Sequence, residues 1–139
     1  MTEQYLFAYG TLQLPLILQA VVGGHWPGTP ALLQGYARYR VRGKPYPAIV
    51  PEPGGNVAGL VYPGVGANEI EQLDRYEGDL YERQTLDVRA GGATLQALTY
   101  VLREQHRALL SNESWELGAF EREHLSNYLL EISVTRRAP

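Results

Sequence analysis

Cysteine is absent from this chain of 139 residues, which excludes disulfides, thiol catalysis and thiolate metal sites. A basic surplus is also lacking, since 12 Lys and Arg stand against 15 Asp and Glu; without a long basic run, this disfavours a nucleic-acid partner. No apolar stretch approaches the ~20 residues that a membrane span needs, and residues 1–4 lack the positive charge of a signal peptide. We therefore expect a soluble cytoplasmic protein whose partner is a small molecule or another protein.

Ligand-like histidine spacing and two common active-site motifs are also missing. His25, His106 and His124 stand far apart, so their spacing gives no support for a metal site. Neither G-x-S-x-G nor G-x-x-x-x-G-K-[ST] occurs, which removes the local signatures of serine hydrolases and P-loop enzymes. Ser111 and Ser114 precede the last predicted helix, and we interpret them as helix caps rather than nucleophiles.

The length predicts one domain over residues 1–139. Apolar or alternating segments bounded by glycine and proline predict strands, at 5–9, 31–41, 48–50, 57–62, 81–90 and 94–102. Helical periodicity predicts three helices, at 12–22, 68–77 and 116–132. Together these elements predict an α+β domain on a mostly antiparallel sheet, with closure into a barrel as one arrangement.

Several local signals refine this pattern. Prolines around residues 48–50 predict a short or edge strand there, and Gly59 predicts a bulge or a close approach by another group. The Gly91-Gly92 pair predicts a hairpin turn. Asn68 and Glu71 resemble a capping box, and Gly78 stands where that helix is expected to stop.

The segment YLFAYGTLQ, residues 5–13, is an apolar run that ends at a Gly-Thr pair. Glycine at position 10 permits a sharp turn and leaves the neighbouring N–H groups unshielded, so the turn could present amide donors to an anionic or carbonyl oxygen. An ordinary connection between a strand and a helix is the alternative, because short glycine motifs are frequent.

Glu77 is a candidate acid/base. It shares a helix face with Ile70 and Leu73, which places a carboxylate on the side expected to be buried. Burial and the last-turn position would both raise its pKa, so that it could exchange a proton near neutral pH. The alternatives are a solvated glutamate and an ion pair with Arg75 or Arg83.

Tyrosines are the remaining candidates for substrate contacts. Five of them could hydrogen-bond a ligand, although each is equally suited to a strand or a core: Tyr9, Tyr46, Tyr76, Tyr81 and Tyr100. Tyr128 falls on the apolar stripe of the last predicted helix and is interpreted as a core residue.

Four segments taken in order resemble the γ-glutamylcyclotransferase-like superfamily, which includes γ-glutamylamine cyclotransferases and AIG2-like proteins. They are FAYGTLQ, YPAIV, GLVY and LDRYEGDLYERQTLDV, and the resemblance covers residues 5 to about 102. It implies a small, mostly antiparallel β-barrel flanked by short helices, with a cavity where the Tyr-Gly-[Ser/Thr]-Leu turn meets the Glu-Gly turn.

The resemblance also implies roles for individual residues. The turn that binds the γ-glutamyl group in the family matches Tyr9, Gly10, Thr11 and Leu12, and the catalytic acid/base of the family matches Glu77. Tyr81 matches a tyrosine that often lines the pocket. Residues beyond about 102 match no family feature that can be carried over.

The implied reaction is a cyclisation that needs no metal or organic cofactor. The α-amino group of a γ-glutamyl compound attacks its own γ-carbonyl, giving 5-oxoproline and releasing an amine or amino acid. Two alternatives remain: a non-catalytic module that binds a small ligand or a partner protein on the same fold, and a structural domain without a ligand.

Overall fold

The computed structural model describes residues 4–24 and 26–137, with side chains through residue 132, so His25 lies outside the described residues. Within these ranges the chain forms six strands and four α-helices. The strands are β1 (Gln4–Ala8), β2 (Thr29–Val41), β3 (Pro47–Val65), β4 (Tyr81–Ala90), β5 (Ala93–Leu102) and β6 (Leu110–Ser114). The α-helices are α1 (Pro15–Val22), α2 (Ala67–Glu77), α3 (Leu117–Glu123) and α4 (Leu125–Arg137). Short 3-10 helices cover Thr11–Gln13, Gly78–Leu80 and Glu104–Leu109.

Strands β1 to β5 close into a ring. β3 pairs antiparallel with β1 and β2, β4 pairs antiparallel with β2 and β5, and β5 pairs parallel with β1. The ring is loose at one seam, where β2 and β4 share the single pair Leu32 with Arg89, whereas the β4–β5 ladder has ten pairs. β6 lies outside the ring and pairs with β2. The predicted α+β fold with a small, mostly antiparallel barrel is therefore confirmed.

Alternation along β1 divides the buried side chains between two clusters. Phe7 belongs to a cluster built from strand residues and the turn residue Tyr9, whereas Leu6 and Ala8 belong to a cluster that includes helical residues of α1, α2, α3 and α4. Successive side chains of a strand point to opposite faces, so one short apolar strand serves both clusters. This packing holds the end of β1 between the cluster of strand residues and the cluster that includes the helices.

β3 corrects the expectation of two separate strands at 48–50 and 57–62. It runs without a break over Pro47–Val65, with Pro51 paired opposite Tyr36. Among the described strands, only β2 pairs with residues 47–59, because the β1 pairing begins at Leu60. A proline is tolerated on a strand segment that is paired along one edge, so these prolines do not end the strand.

The turns behave as the glycines predict. Gly91 and Gly92 join β4 to β5 with φ angles of 57° and 85°, which side chains rarely adopt and which two-residue hairpin turns require. A Cβ on Gly59 would lie 2.3 Å from the Ala8 carbonyl oxygen, so the close approach expected there is confirmed. Gly78 ends α2 with a φ of 76°.

Four helical expectations are wrong in detail. The Glu69 carboxylate, not that of Glu71, accepts a hydrogen bond from the backbone at the start of α2, where Gly66 is the N-cap (3.0 Å). The predicted helix at 116–132 is two helices, because the backbone leaves the helical conformation at His124, with φ −127° and ψ −16°. Ser111 lies in β6 rather than at a helix start, and its hydroxyl donates to the carbonyl of Arg40 (2.6 Å).

The other serine expectation fails for the same reason, since Ser114 ends β6 and pairs with Tyr39 of β2. The residue preceding α3 is Glu116, which makes no side-chain cap hydrogen bond. No described helix is long and apolar enough to cross a membrane.

Candidate active site

A cavity of about 150 Å³ lies at one end of the barrel. β1 and β5 run parallel and end there, whereas β3 and β4 run the opposite way and begin there. All six residues that the sequence analysis proposes for the site line this cavity: Tyr9, Gly10, Thr11, Leu12, Glu77 and Tyr81. Their proximity is a geometric finding, and their roles remain predictions.

The turn after β1 is held in place from its two sides. A guanidinium nitrogen of Arg38 donates to the Tyr9 carbonyl (2.8 Å). On the cavity side, a Cβ on Gly10 would lie 3.0 Å from Cγ of Pro47. Such a contact is tighter than most real Cβ contacts, so glycine lets Pro47 close against the turn.

This turn carries N–H groups that the protein does not use. Its backbone hydrogen bonds run from Gln13 N–H to the Gly10 carbonyl and from Leu14 N–H to the Thr11 carbonyl (both 3.1 Å). The N–H groups of Thr11 and Leu12 have no acceptor among the described residues, and both residues line the cavity. They are therefore free to bind an oxygen of a ligand.

Glu77 is the last residue of α2 and keeps part of its surface open to the cavity, while protein atoms enclose the rest of its carboxyl group. Burial, with a smaller contribution from the negative charge of Asp74, raises the pKa of Glu77 to about 8. Leu73, on the same helix face, is fully buried, as the periodicity predicts. Glu77 can therefore exchange a proton near neutral pH.

The ion pair considered as an alternative for Glu77 does not form. Arg75 pairs with Glu71 at 3.3 Å, and Arg83 pairs with Asp74. No hydrogen bond or ion pair joins the Glu77 carboxyl group to the part of the chain that the structure describes. Its ionised form thus has no stabilising partner among the described residues, which agrees with the direction of its pKa shift.

Six tyrosines surround this carboxyl group along the cavity wall: Tyr9, Tyr46, Tyr76, Tyr81, Tyr100 and Tyr128. Burial raises the pKa of each, and the negative charge of Glu77 raises it further. At neutral pH all six phenols therefore carry their protons and can act as hydrogen-bond donors.

Three of these hydroxyls already donate to the protein. Tyr9 donates to the Tyr100 carbonyl (2.5 Å), and Tyr81 donates to the Pro47 carbonyl (2.7 Å). Tyr100 donates to the Asp74 carboxylate (2.7 Å). These bonds fix the wall of the cavity, and their protons are not available to a ligand.

The other hydroxyls include one that the sequence analysis places in the core. Tyr128 of α4 bonds Tyr76 (2.5 Å between hydroxyl oxygens), and Tyr76 bonds the Thr11 hydroxyl (2.8 Å). The Tyr46 hydroxyl has no partner among the described residues, and its ring contacts Tyr128 at 6.4 Å between centroids. The apolar stripe of the sequence correctly places Tyr128 on the packed face of α4. A periodic pattern does not indicate which groups its hydroxyl contacts.

Cationic side chains do not line this cavity in the described part of the chain. Over the same residues, no three His, Asp or Glu side chains come together in a way that could hold a metal ion. A ligand carboxylate in this cavity would therefore be bound by neutral donors, namely amides and hydroxyls.

Comparison with known proteins identifies the family. The family model "Gamma-glutamyl cyclotransferase, AIG2-like" matches residues 6–117. AIG2-like protein C of Arabidopsis thaliana is 34% identical over 102 residues, which are 72% of this chain and 59% of that protein. The chain thus spans less than two thirds of the length of this relative.

Solved structures share the fold. A solution structure of an Arabidopsis thaliana protein superposes with a TM-score of 0.72 at 27% identity, covering 97% of this chain and 82% of that one. A structure named γ-glutamyl cyclotransferase has a TM-score of 0.65 at 18% identity, with 95% and 87% covered. At that identity the second likeness shows the fold alone.

Proposed function

Because the chain belongs to the AIG2-like γ-glutamyl cyclotransferase family, we propose that it cyclises a γ-glutamyl compound to 5-oxoproline and releases an amine or amino acid. The observation that carries the proposal is Glu77: a carboxyl group without a hydrogen-bond or ion-pair partner among the described residues, with a pKa of about 8, in a cavity that also contains unused amides. These groups match the proton transfers and the oxygen binding that the cyclisation needs.

The size of the cavity supports a substrate that enters by its γ-glutamyl end. About 150 Å³ is below the roughly 300–1,000 Å³ of sites for drug-sized ligands. Six of its lining residues are half-exposed, namely Gly10, Tyr46, Tyr76, Glu77, Leu80 and Tyr128, so the leaving group can extend outward through the open side of the cavity. Holding the chain folded, with the nitrogen close to the γ-carbonyl, supplies much of the rate increase.

Glu77 serves as base and then as acid. Its carboxylate takes a proton from the α-ammonium, and the freed amine forms a bond to the γ-carbon. The bond from that carbon to the leaving nitrogen breaks as the leaving nitrogen receives the proton from Glu77. The restored carboxylate then takes the second proton from the ring nitrogen, which gives the neutral lactam, and passes it to the released amine. With a pKa of about 8, roughly a tenth of the free enzyme is ionised at pH 7, and the positive charge of the bound ammonium raises that fraction.

The proposed reaction is tested by detecting 5-oxoproline by mass spectrometry after incubation with γ-glutamyl amino acids, γ-glutamylamines and γ-glutamyl peptides. Product from one subset would establish the reaction and its leaving group. No product from any of them, with a folded protein, would contradict the proposal and favour a binding module.

The role of Glu77 is tested by the Glu77→Gln variant. We expect kcat to fall roughly a hundred- to ten-thousandfold, because the amide cannot transfer the proton. Glu71→Gln is the matched control: the same change on the same helix, at an exposed carboxylate that pairs with Arg75, should leave kcat unchanged. Wild-type turnover by a folded Glu77→Gln protein would refute the assignment.

A further inference from the structure

The α-carboxylate of a γ-glutamyl substrate needs donors that the cavity must supply without a cation. Lys, Arg and His are missing from its described lining. The hydroxyls of Tyr9, Tyr81 and Tyr100 already donate to protein acceptors. The remaining donors are the amides of Thr11 and Leu12, the hydroxyl of the half-exposed Tyr46, and a second group of hydroxyls.

That second group is the hydroxyl cluster, formed by Thr11, Tyr76 and Tyr128. It joins the turn after β1 to the end of α2 and to α4 through two hydrogen bonds, Thr11–Tyr76 at 2.8 Å and Tyr76–Tyr128 at 2.5 Å. All three residues line the cavity. The cluster therefore connects helix α4, which has no role in the proposed reaction so far, to the residues that surround the substrate.

Counting protons shows that the cluster has a donor to offer. Each hydroxyl carries one proton, and burial raises the pKa of both phenols, that of Tyr128 to about 12, so all three protons are present at neutral pH. Two bonds use two protons, whichever way each bond points. The third O–H group is left with the weaker contact between Thr11 and Tyr128, which lowers the pKa of Tyr128. A carboxylate, which only accepts hydrogen bonds, is suited to receive this O–H group instead.

We propose that the hydroxyl cluster binds the α-carboxylate of the substrate and that Tyr128 is a specificity-determining residue for it, a proposal that rests on the function proposed above. The α-ammonium then faces Glu77, which is the only acidic side chain of the described cavity lining. With the carboxylate at the cluster, the amides of Thr11 and Leu12 are available for the oxyanion that develops on the γ-carbonyl.

The test compares two ligands that differ by the carboxylate alone. 5-Oxoproline and 2-pyrrolidinone share the same ring, and their affinities for wild type and for Tyr128→Phe are measured by calorimetric or NMR titration. We expect the substitution to weaken 5-oxoproline binding roughly tenfold to a hundredfold, because the loss of one hydrogen bond to a charged group reduces affinity by about this factor. The affinity for 2-pyrrolidinone should stay within about twofold.

Two further variants make the result specific. Tyr39→Phe removes a hydroxyl that donates to Glu52 outside the cavity and should change neither affinity. Tyr76→Phe removes both bonds of the cluster but keeps the Tyr128 hydroxyl, so it should weaken 5-oxoproline binding less than Tyr128→Phe does. The ring of residue 128 keeps its contact with Phe120, at 5.3 Å between centroids, so the Phe variant retains the packing.

Kinetics separate this proposal from the proposed function. If wild type turns over a γ-glutamyl amide, Tyr128→Phe should raise KM more than it lowers kcat. The variant should also lose the preference of wild type for the γ-glutamyl amide over the 4-aminobutyryl amide, which lacks the carboxylate. An unchanged preference in an active enzyme would overturn the cluster alone. If wild type forms no 5-oxoproline, the proposed function fails. The titrations then test the cluster separately: it is overturned if Tyr128→Phe weakens the binding of both ligands equally, or if wild type does not bind 5-oxoproline.

Discussion

Glu77 makes the stability of the fold depend on pH. Its pKa is about 8 in the folded chain, against an ordinary value of 4.5. Between these values the unfolded chain has released the proton and the folded chain still holds it. The folded state therefore binds more protons, and the free energy of unfolding falls as the pH rises from about 4.5 to 8.

This pH dependence should disappear in Glu77→Gln, whose side chain does not titrate. At pH 5 the variant and wild type should be about equally stable. At pH 9 the variant should be more stable by about 2–4 kcal/mol, a value reduced from the full pKa shift because Glu77 is partly exposed to solvent in the cavity. Urea unfolding at pH 5, 7 and 9 measures this, with Glu71→Gln as the control that should follow wild type. An equal pH dependence in both Glu77→Gln and wild type would contradict the raised pKa.

Sequence reasoning reached Glu77 because a helix has a fixed period, and the buried Leu73 one turn earlier marks its face. The turn after β1 was recognisable because glycine and its neighbours form a short local motif. Tyr128 was assigned to the core, since its hydroxyl contact with Tyr76 spans 52 residues of sequence. Local patterns carry no information on such a contact.

Strands β1 and β3 approach each other too closely for a side chain at Gly59. A Cβ there would lie 2.3 Å from the Ala8 carbonyl oxygen and 3.0 Å from the ring of Phe7. Both neighbours are fixed, because Ala8 is paired within the sheet opposite Leu60 and Phe7 is buried. Glycine thus sets the spacing of the two strands just before the turn that lines the cavity.

Gly59→Ala should therefore destabilise the protein by about 3 kcal/mol or more, because one of the two strands has to move. Chemical denaturation measures the loss. Gly118→Ala is the matched control: it lies in α3, where the nearest contact is the flexible end of Arg122 at 3.3 Å, and alanine favours a helix. Equal stabilities of the two variants would show that β1 and β3 adapt to the added methyl group.

Elements with strong local signals were predicted well, and those defined by distant partners were not. The hairpin of β4 and β5 follows from alternation and Gly91-Gly92. The continuity of β3 depends on β2, which supports Pro51 from one side. β6 and the 3-10 helix before it were missed, since Leu110–Ser114 is short and half exposed and its strand character comes from pairing with β2.

The whole barrel is expected to open first at the seam between β2 and β4. Backbone amides that face the seam near Leu32 and Arg89 should exchange with solvent at least tenfold faster than amides between β4 and β5 near Leu86 and Ala97, because one pair closes the seam. Hydrogen exchange followed by NMR measures this. Equal protection at both places would show that side-chain packing, rather than pairing, holds the seam.

Opening there would leave the cavity intact. Tyr81, at the cavity, begins β4, and Arg89 lies eight residues further along the same strand, a distance of about 26 Å in an extended chain. The seam and the candidate site therefore lie towards opposite ends of β4.

The span of the hydroxyl cluster also has a consequence for the timing of synthesis. Thr11 precedes Tyr128 by 117 residues, yet the two share one network of hydrogen bonds. At about 5–20 residues per second, a ribosome makes Tyr128 roughly 6–23 s after Thr11. A nascent chain can thus form its six described strands while its cavity still lacks the wall that Tyr128 provides, so the candidate site is completed only after α4 has been made.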